Sequence, residues 1–287
     1  NISQINASMR EVFKGIKTNI QQAKFSEAIL LCQRQLENDL PNGDRLEVLY
    51  LLVVAQRLKG DYHEALESNK TLLSLNARAW QENGYLYTAT HESLKAAQAF
   101  YQATQLNPAL LASWRALQPL YKNQGNTKAA AIAKAQIAYL AELPNAILGA
   151  KDLMYEGDFY NADKVCRQFL QANKHHAEAM LLLAEIGIQL KVYSEADFIL
   201  SSCLALYPDH KTAGMTYLQL LAKMAKFSEV KTLADKLLTG SPKNAVLLCA
   251  KASAMVGLGD VEEAIAIYQD LLAQNQAQPG TWACPKS

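Results

Sequence analysis

Apolar residues fall at helical spacing through nearly the whole chain. In the stretch that begins at Ala177, Met180, Leu183, Ala184 and Gly187 share one face of a helix, and Ala196, Leu200 and Cys203 share one face of the next. A period of three to four residues is that of an amphipathic helix and not of a strand. The pattern predicts pairs of helices joined by tight turns. At the start, Ile5, Met9, Val12, Phe13, Ile16 and Ile20 predict one long amphipathic helix that heads the series.

The helix pairs recur at a fixed interval. Ala162, Ala196, Val230 and Ala264 lie 34 residues apart, as do Cys166, Leu200, Ala234 and Tyr268, and Phe169, Cys203, Leu237 and Leu271. Four units in phase start at Leu143, Ala177, Lys211 and Ala245. Earlier units follow the same frame less evenly, with starts near residues 9, 46, 77 and 111. A hairpin of this length cannot bury its own apolar face. Stacked neighbours bury it, which makes a solenoid the expected architecture. Residues 1–278 would form this solenoid, and 279–287, with Trp282 at the fourth position of a new unit, would begin an interrupted ninth repeat.

The turns carry their own chemistry. Gly60-Asp61, Gly125-Asn126, Gly157-Asp158 and Gly259-Asp260 stand between the two helices of their units. A glycine at a helix C-terminus takes the left-handed conformation without a Cβ penalty. Asp61 and Asp260 precede Glu64 and Glu263 by three residues, the spacing of a capping box. The third unit departs from this, with Thr90-His91-Glu92-Ser93 in place of a glycine turn. Pro119 falls inside a first helix, where proline costs about 3 kcal/mol.

Composition narrows the function. Half the residues are hydrophobic, and with only 13 glycines and 8 prolines helix formers dominate. The net charge of +1 supplies no overall attraction to nucleic acid or to a membrane surface. No charged segment followed by an apolar one opens the chain, and the apolar run Val48 to Ala55 is too short to span a bilayer. Five cysteines without a C-x-x-C pair argue for a reducing compartment, and a cytoplasmic protein is expected. Cys32, Cys166 and Cys203 occupy core positions, while Cys249, on a first helix, is expected to be more exposed. His175, His176 and His210 stand at boundaries between units and read as solvated loop histidines. No cofactor, metal or catalytic constellation emerges. No G-x-x-x-x-G-K-[ST] loop occurs, and no histidine stands in a cluster with a nucleophile and a carboxylate.

Trp80, Gly84, Tyr87, Ala96, Phe100, Ala103 and Pro108 keep the spacing Trp-x3-Gly-x2-Tyr-x8-Ala-x3-Phe-x2-Ala-x4-Pro, and Trp114, Leu117, Tyr121, Gly125 and Ala130 repeat its first part. This resembles the tetratricopeptide repeat. The resemblance implies an all-α, right-handed superhelix of about eight helical hairpins that binds proteins or peptides in its concave groove. In that family positions 2, 5, 9, 12 and 13 of each first helix face the ligand. Carried onto the third, fourth and fifth units, these positions give Arg78, Gln81, Tyr85, Thr88, Arg115, Lys122, Asn123, Lys151 and Tyr155. Four are basic and none is acidic, which implies an acidic partner segment. The next unit contributes Glu178 and Glu185. A chaperone-tail clamp of lysines and asparagines is absent from the matching positions.

Trp114-Arg115-x-Leu117, Gly125-Asn126, Leu143-Pro144, Tyr207-Pro208-Asp209, Gly259-Asp260 and Pro279-x2-Trp282 resemble the N-terminal repeats of bacterial proteins in which such a region precedes a sulfotransferase domain. That resemblance covers about residues 77–282. It implies that the chain recruits a partner or acceptor for a larger enzyme while having no catalytic site itself. The alternative is a stand-alone adaptor. A helical-repeat nucleic-acid reader would show a 35-residue period and a basic groove, and the period of 34 and the near-zero charge oppose it.

Overall fold

The computed structural model describes residues 2–277. Sixteen α-helices and no strand are found among them. The chain divides into two compact units, one formed by residues up to Pro144 with Tyr155–Gly157, the other by Asn145–Met154 and the residues from Asp158 onward. The expected ninth repeat, with Trp282 and Cys284, lies outside the described residues.

Unit 1 contains α1 (Ile2–Gln21), α2 (Phe25–Leu36), α3 (Asn42–Lys59), α4 (Tyr62–Leu73), α5 (Ala77–Ala89), α6 (Ser93–Leu106), α7 (Leu111–Asn123) and α8 (Thr127–Glu142). Unit 2 contains most of α9 (Asn145–Tyr155), then α10 (Phe159–Ala172), α11 (Ala177–Gln189), α12 (Tyr193–Leu206), α13 (Lys211–Lys223), α14 (Phe227–Gly240), α15 (Ala245–Leu258) and α16 (Val261–Ala277). From α1 to α8 and again from α10 to α16 consecutive helices pack on one another, giving an all-α repeat solenoid of helical hairpins. The small residues repeated along the second helices make this close packing possible. Ala28, Ala65, Ala96, Ala162, Ala196 and Ala264 are all fully buried. Gly84 serves the same purpose on α5: a Cβ there would stand 2.5 Å from the Phe100 ring.

Every hairpin turn contains one left-handed residue. Glycine supplies it at Gly60, Gly125, Gly157 and Gly259, but Ala23, His91, Lys191 and Ala225 adopt the same conformation, with φ between 55° and 60°. The third hairpin, which lacks the glycine turn, therefore turns in the same way. Packing of the two helices fixes the backbone there and overrides the residue's own preference.

Caps differ from the sequence reading. The Asp61 side chain accepts no capping hydrogen bond from α4 and instead pairs with Lys59 at 3.0 Å. Caps do form on first helices: Asn76 accepts from Ala79 N, and Asn244 from Leu247 N. His176 and His210 are not solvated loop histidines. Each offers its Nδ1 lone pair to a backbone N–H, of Ala179 at 3.2 Å and of Ala213 at 3.1 Å. Cys249 is 3% exposed, contrary to expectation, because α15 is covered by both α14 and α16. Burial pushes the thiols of Cys32 and Cys166 up to about 12, so both are inert at neutral pH. Helix α7 runs through Pro119 without a break, and the proline lies on its exposed face, where water can replace the lost backbone bond.

The cores of the two units differ in kind. Around α11 to α13 the core consists of Met180, Leu181, Leu200, Leu220 and similar residues. In unit 1, Asn69, Asn83, Gln81, Thr104, Asn107 and Ser113 are also buried. Several are hydrogen-bonded across helices: Asn69 Nδ2 donates to the Ala79 carbonyl and to Asn83 Oδ1, both at 2.7 Å, and Ser113 Oγ donates to Gln81 Oε1 at 2.7 Å.

Candidate ligand-binding face of unit 1

Helices α3 and α5 stand side by side as first helices of neighbouring hairpins, and their shared face carries a cluster of charged side chains. Arg57 is at the C-terminal end of α3. Its Nε donates to Glu82 Oε2 and its Nη2 to Glu82 Oε1 at 3.4 Å, so both carboxylate oxygens are engaged. The guanidinium lies over the Tyr85 ring, 4.9 Å from its centroid. Tyr85 in turn meets Phe100 edge-on at 5.3 Å. The Arg57 side chain is 21% exposed and that of Glu82 only 4%.

Burial pushes the Glu82 carboxyl above its ordinary range although Arg57 opposes the shift. Tyr50 stands in the same field. Burial, reinforced by the Glu82 charge and opposed by Arg78 and Arg57, pushes its phenol up to about 12. Burial likewise raises the Tyr85 phenol. Both tyrosines are therefore neutral hydrogen-bonding groups at physiological pH.

Next to Tyr50 a cleft of about 480 Å³ opens. Leu46, Leu51 and Tyr50 form its apolar lining, with Lys17, Glu47 and Arg78 among the charged groups. Lys17 pairs with Glu47 at 3.0 Å. Glu156 reaches Arg78 at 4.0 Å and accepts from Asn107 Nδ2 at 2.8 Å. Asn107 is itself fixed, since its Oδ1 accepts from Ala109 N at 3.0 Å.

The residues expected from the sequence divide into groups. Arg78 and Tyr85 belong to this cluster. Gln81 is on the same helix but is buried, accepting from Ser113. The Thr88 hydroxyl is turned back on the Gly84 carbonyl at 2.8 Å. Arg115, Lys122 and Asn123 are exposed on α7, and Tyr155, also exposed, belongs to unit 1. Lys151 belongs to unit 2, where burial pushes the Glu185 carboxyl up, with the Lys151 charge opposing and Glu178 adding to the rise.

The face is less basic than the sequence implied. Glu47, Glu82 and Glu156 stand among Lys17, Arg57 and Arg78, so the cluster is balanced in charge. Position arithmetic on the third to fifth units missed Arg57 because it lies in the second unit, at the twelfth position of a start near residue 46. It missed Tyr50 because that residue too lies in the second unit, and Glu82 because it occupies none of the five carried-over positions. Among the described residues no group of three His, Cys, Asp or Glu side chains could hold a metal ion, and no helix is long and apolar enough to cross a membrane.

No protein family's model matches the chain, and no curated protein matches its sequence. Solved structures do resemble it. A tetratricopeptide repeat protein from Parabacteroides merdae shares 18% identity, with 93% of each chain covered and a TM-score of 0.37. MamA shares 14% identity over 73% of this chain and 98% of its own, with a TM-score of 0.39. A chain of the Naa15/Naa10 assembly bound to HypK-THB shares 17% identity over 93% of this chain, with a TM-score of 0.41. The present chain spans 42% of that protein's length.

Proposed function

We propose that this chain is a tetratricopeptide-type scaffold that holds an extended segment of another protein against the inward faces of its first helices. The observation that carries this is the α3–α5 face. An open cleft with an apolar lining is bordered there by charged and phenolic side chains held in place by their neighbours. Such a combination favours a peptide, whose side chains alternate between apolar and polar and whose backbone takes hydrogen bonds from fixed groups.

The exposed Arg115, Lys122 and Asn123 of α7, in the same unit, extend the proposed surface and favour an acidic segment. Contacts of this kind are individually weak, about 0–1 kcal/mol for exposed ion pairs, so binding in the micromolar range that weakens with salt is expected. An immobilised array of overlapping acidic and neutral peptides, read with the labelled chain at low and high salt, tests the reading. Retention of acidic peptides that is lost in Arg115→Glu/Lys122→Glu supports it. Equal retention by that variant places the ligand elsewhere.

The finer reading, that this is the recruiting region of a bacterial cytoplasmic sulfotransferase, is supported by the Trp114-Arg115-x-Leu117 and Tyr207-Pro208-Asp209 motifs and their companions. Its test is the reading frame beyond Ser287 in the source genome. A phosphosulfate-binding domain there supports it, and a stop without one favours the stand-alone adaptor.

A further inference from the structure

We infer that Arg57 sets the chemistry of the segment this face accepts, by taking the carboxylate of an aspartate or glutamate side chain whose neighbours in the peptide lie along the Tyr50 cleft. The inference rests on the peptide-binding reading above and specifies it.

A guanidinium has five N–H donors in a fixed plane. In Arg57, Nε and one Nη2 hydrogen go to Glu82, the Tyr85 ring covers one face, and Nη1 has no partner among the described residues. What remains is the outer edge of the fork, two parallel N–H groups on a side chain that cannot rotate without breaking its bonds to Glu82. Most arginines lose several rotamers on binding a ligand. Arg57 has already lost them, so a carboxylate arriving there meets donors whose ordering cost was met in folding.

The neighbouring charges decide what can bind. Both Glu82 oxygens are occupied by Arg57 and the carboxylate is almost wholly buried, so it offers nothing to a cationic ligand. A dianion such as a phosphate would stand near Glu82, Glu47 and Glu156 in a cluster with no net positive charge. A single carboxylate carries half the repulsion and matches the two free donors. Glu82 is thus a positioning residue. It aims Arg57 while competing with the ligand for its charge.

This dual role gives the proposal a signature that a purely structural ion pair would lack. The test is a positional-scanning library of C-terminally amidated heptapeptides, read by fluorescence polarisation against the full chain. Wild type should prefer Asp or Glu over Asn or Gln at one position by about tenfold. Arg57→Lys keeps the charge but loses the fork and should erase that preference while leaving any apolar preference at other positions. Glu82→Gln keeps a hydrogen-bond acceptor for Arg57 and removes the competing charge, so it should tighten acidic peptides severalfold. Circular dichroism on each variant verifies the fold. A peptide preference without an acidic position, or one that survives Arg57→Lys, overturns the inference and leaves the scaffold reading intact. Binding only of free-acid peptides assigns the carboxylate to the chain terminus and overturns it as well. Retention of no peptide at any sequence overturns both.

Discussion

Lys231 stands 34 residues after Asp197, at the same place in the next second helix, and carries the opposite charge. Each reaches the residue just before the following second helix. Asp197 accepts from Lys226 Nζ at 2.6 Å, and Lys231 lies 3.6 Å from Asp260. The two junctions of unit 2 therefore use one geometry with reversed polarity. One repeat earlier the partner position is Val192, and Asp163 instead binds Arg167, which bridges to Glu195 at 2.7 Å.

Reversing Asp197→Lys should lower the denaturant midpoint, because it sets two cations together at the α12–α14 junction. Adding Lys226→Asp should recover most of the loss by recreating the polarity of the following junction. A double mutant no more stable than Asp197→Lys alone would show that the pair does not act as a pair.

Acid should weaken this junction in a defined window. Burial tends to raise the Asp197 carboxyl, but hydrogen bonds from Lys226 and Tyr217 outweigh it and hold the group below its ordinary value of 3.8. A lowered folded-state pKa adds stability that is complete above the ordinary value and lost as pH falls through the folded one. Asp197→Asn should therefore flatten the stability profile below about pH 4. Glu82 slopes the other way. Raised in the folded state from an ordinary 4.5, it costs stability as pH rises from about that value through its folded one. Urea midpoints measured from about pH 3 to 7 in Asp197→Asn and in Glu82→Gln separate the two slopes.

Gly84 and Gly149 should respond oppositely to the same substitution. Gly84→Ala drives a Cβ into the Phe100 ring and should destabilise by about 1–3 kcal/mol, with partial rescue by Phe100→Leu. Gly149, inside α9, has open space where a methyl group would stand, with no neighbouring atom within 4 Å, so Gly149→Ala should stabilise by about 1 kcal/mol. Thermal or urea unfolding of the three variants decides the matter.

The four non-glycine turns offer another measurement. His91 and Lys191 both hold φ at 60°. The left-handed conformation costs an L-residue about 1–2 kcal/mol, and the freer unfolded chain of glycine takes back part of the relief that removing this strain brings. His91→Gly and Lys191→Gly should each stabilise by about 0.5–1 kcal/mol. Unchanged midpoints would mean that contacts of the native side chains offset the strain.

The hairpin architecture could be read from the sequence because it depends on patterns of many residues: apolar spacing, small residues where helices meet, and an interval of 34 that the later units repeat. The turns were only half legible. Glycine announces a left-handed residue, but Ala23, His91, Lys191 and Ala225 are forced into it by helices on either side. The proposed binding face was legible at Arg78 and Tyr85 through the repeat positions that the family resemblance implies. It was not legible at Arg57, whose significance comes from Glu82 and Tyr85 on another helix. Gln81 shows the same limit from the other side, since only Ser113, from the next hairpin, reveals that it is turned into the interior.

The hydrogen-bonded amides and hydroxyls inside unit 1 make its hairpins poor candidates for exchange. Asn69 with Asn83 and Gln81 with Ser113 join different helices, so a substituted hairpin from elsewhere in the chain would leave half of each pair buried and unanswered. The apolar contacts among α11, α12 and α13 make no such demand. Duplication, deletion or shuffling of whole repeats should accordingly be resisted more strongly in the first half of the chain than in the second, where a lost repeat would mismatch only partly exposed pairs such as Asp197–Lys226 and Lys231–Asp260.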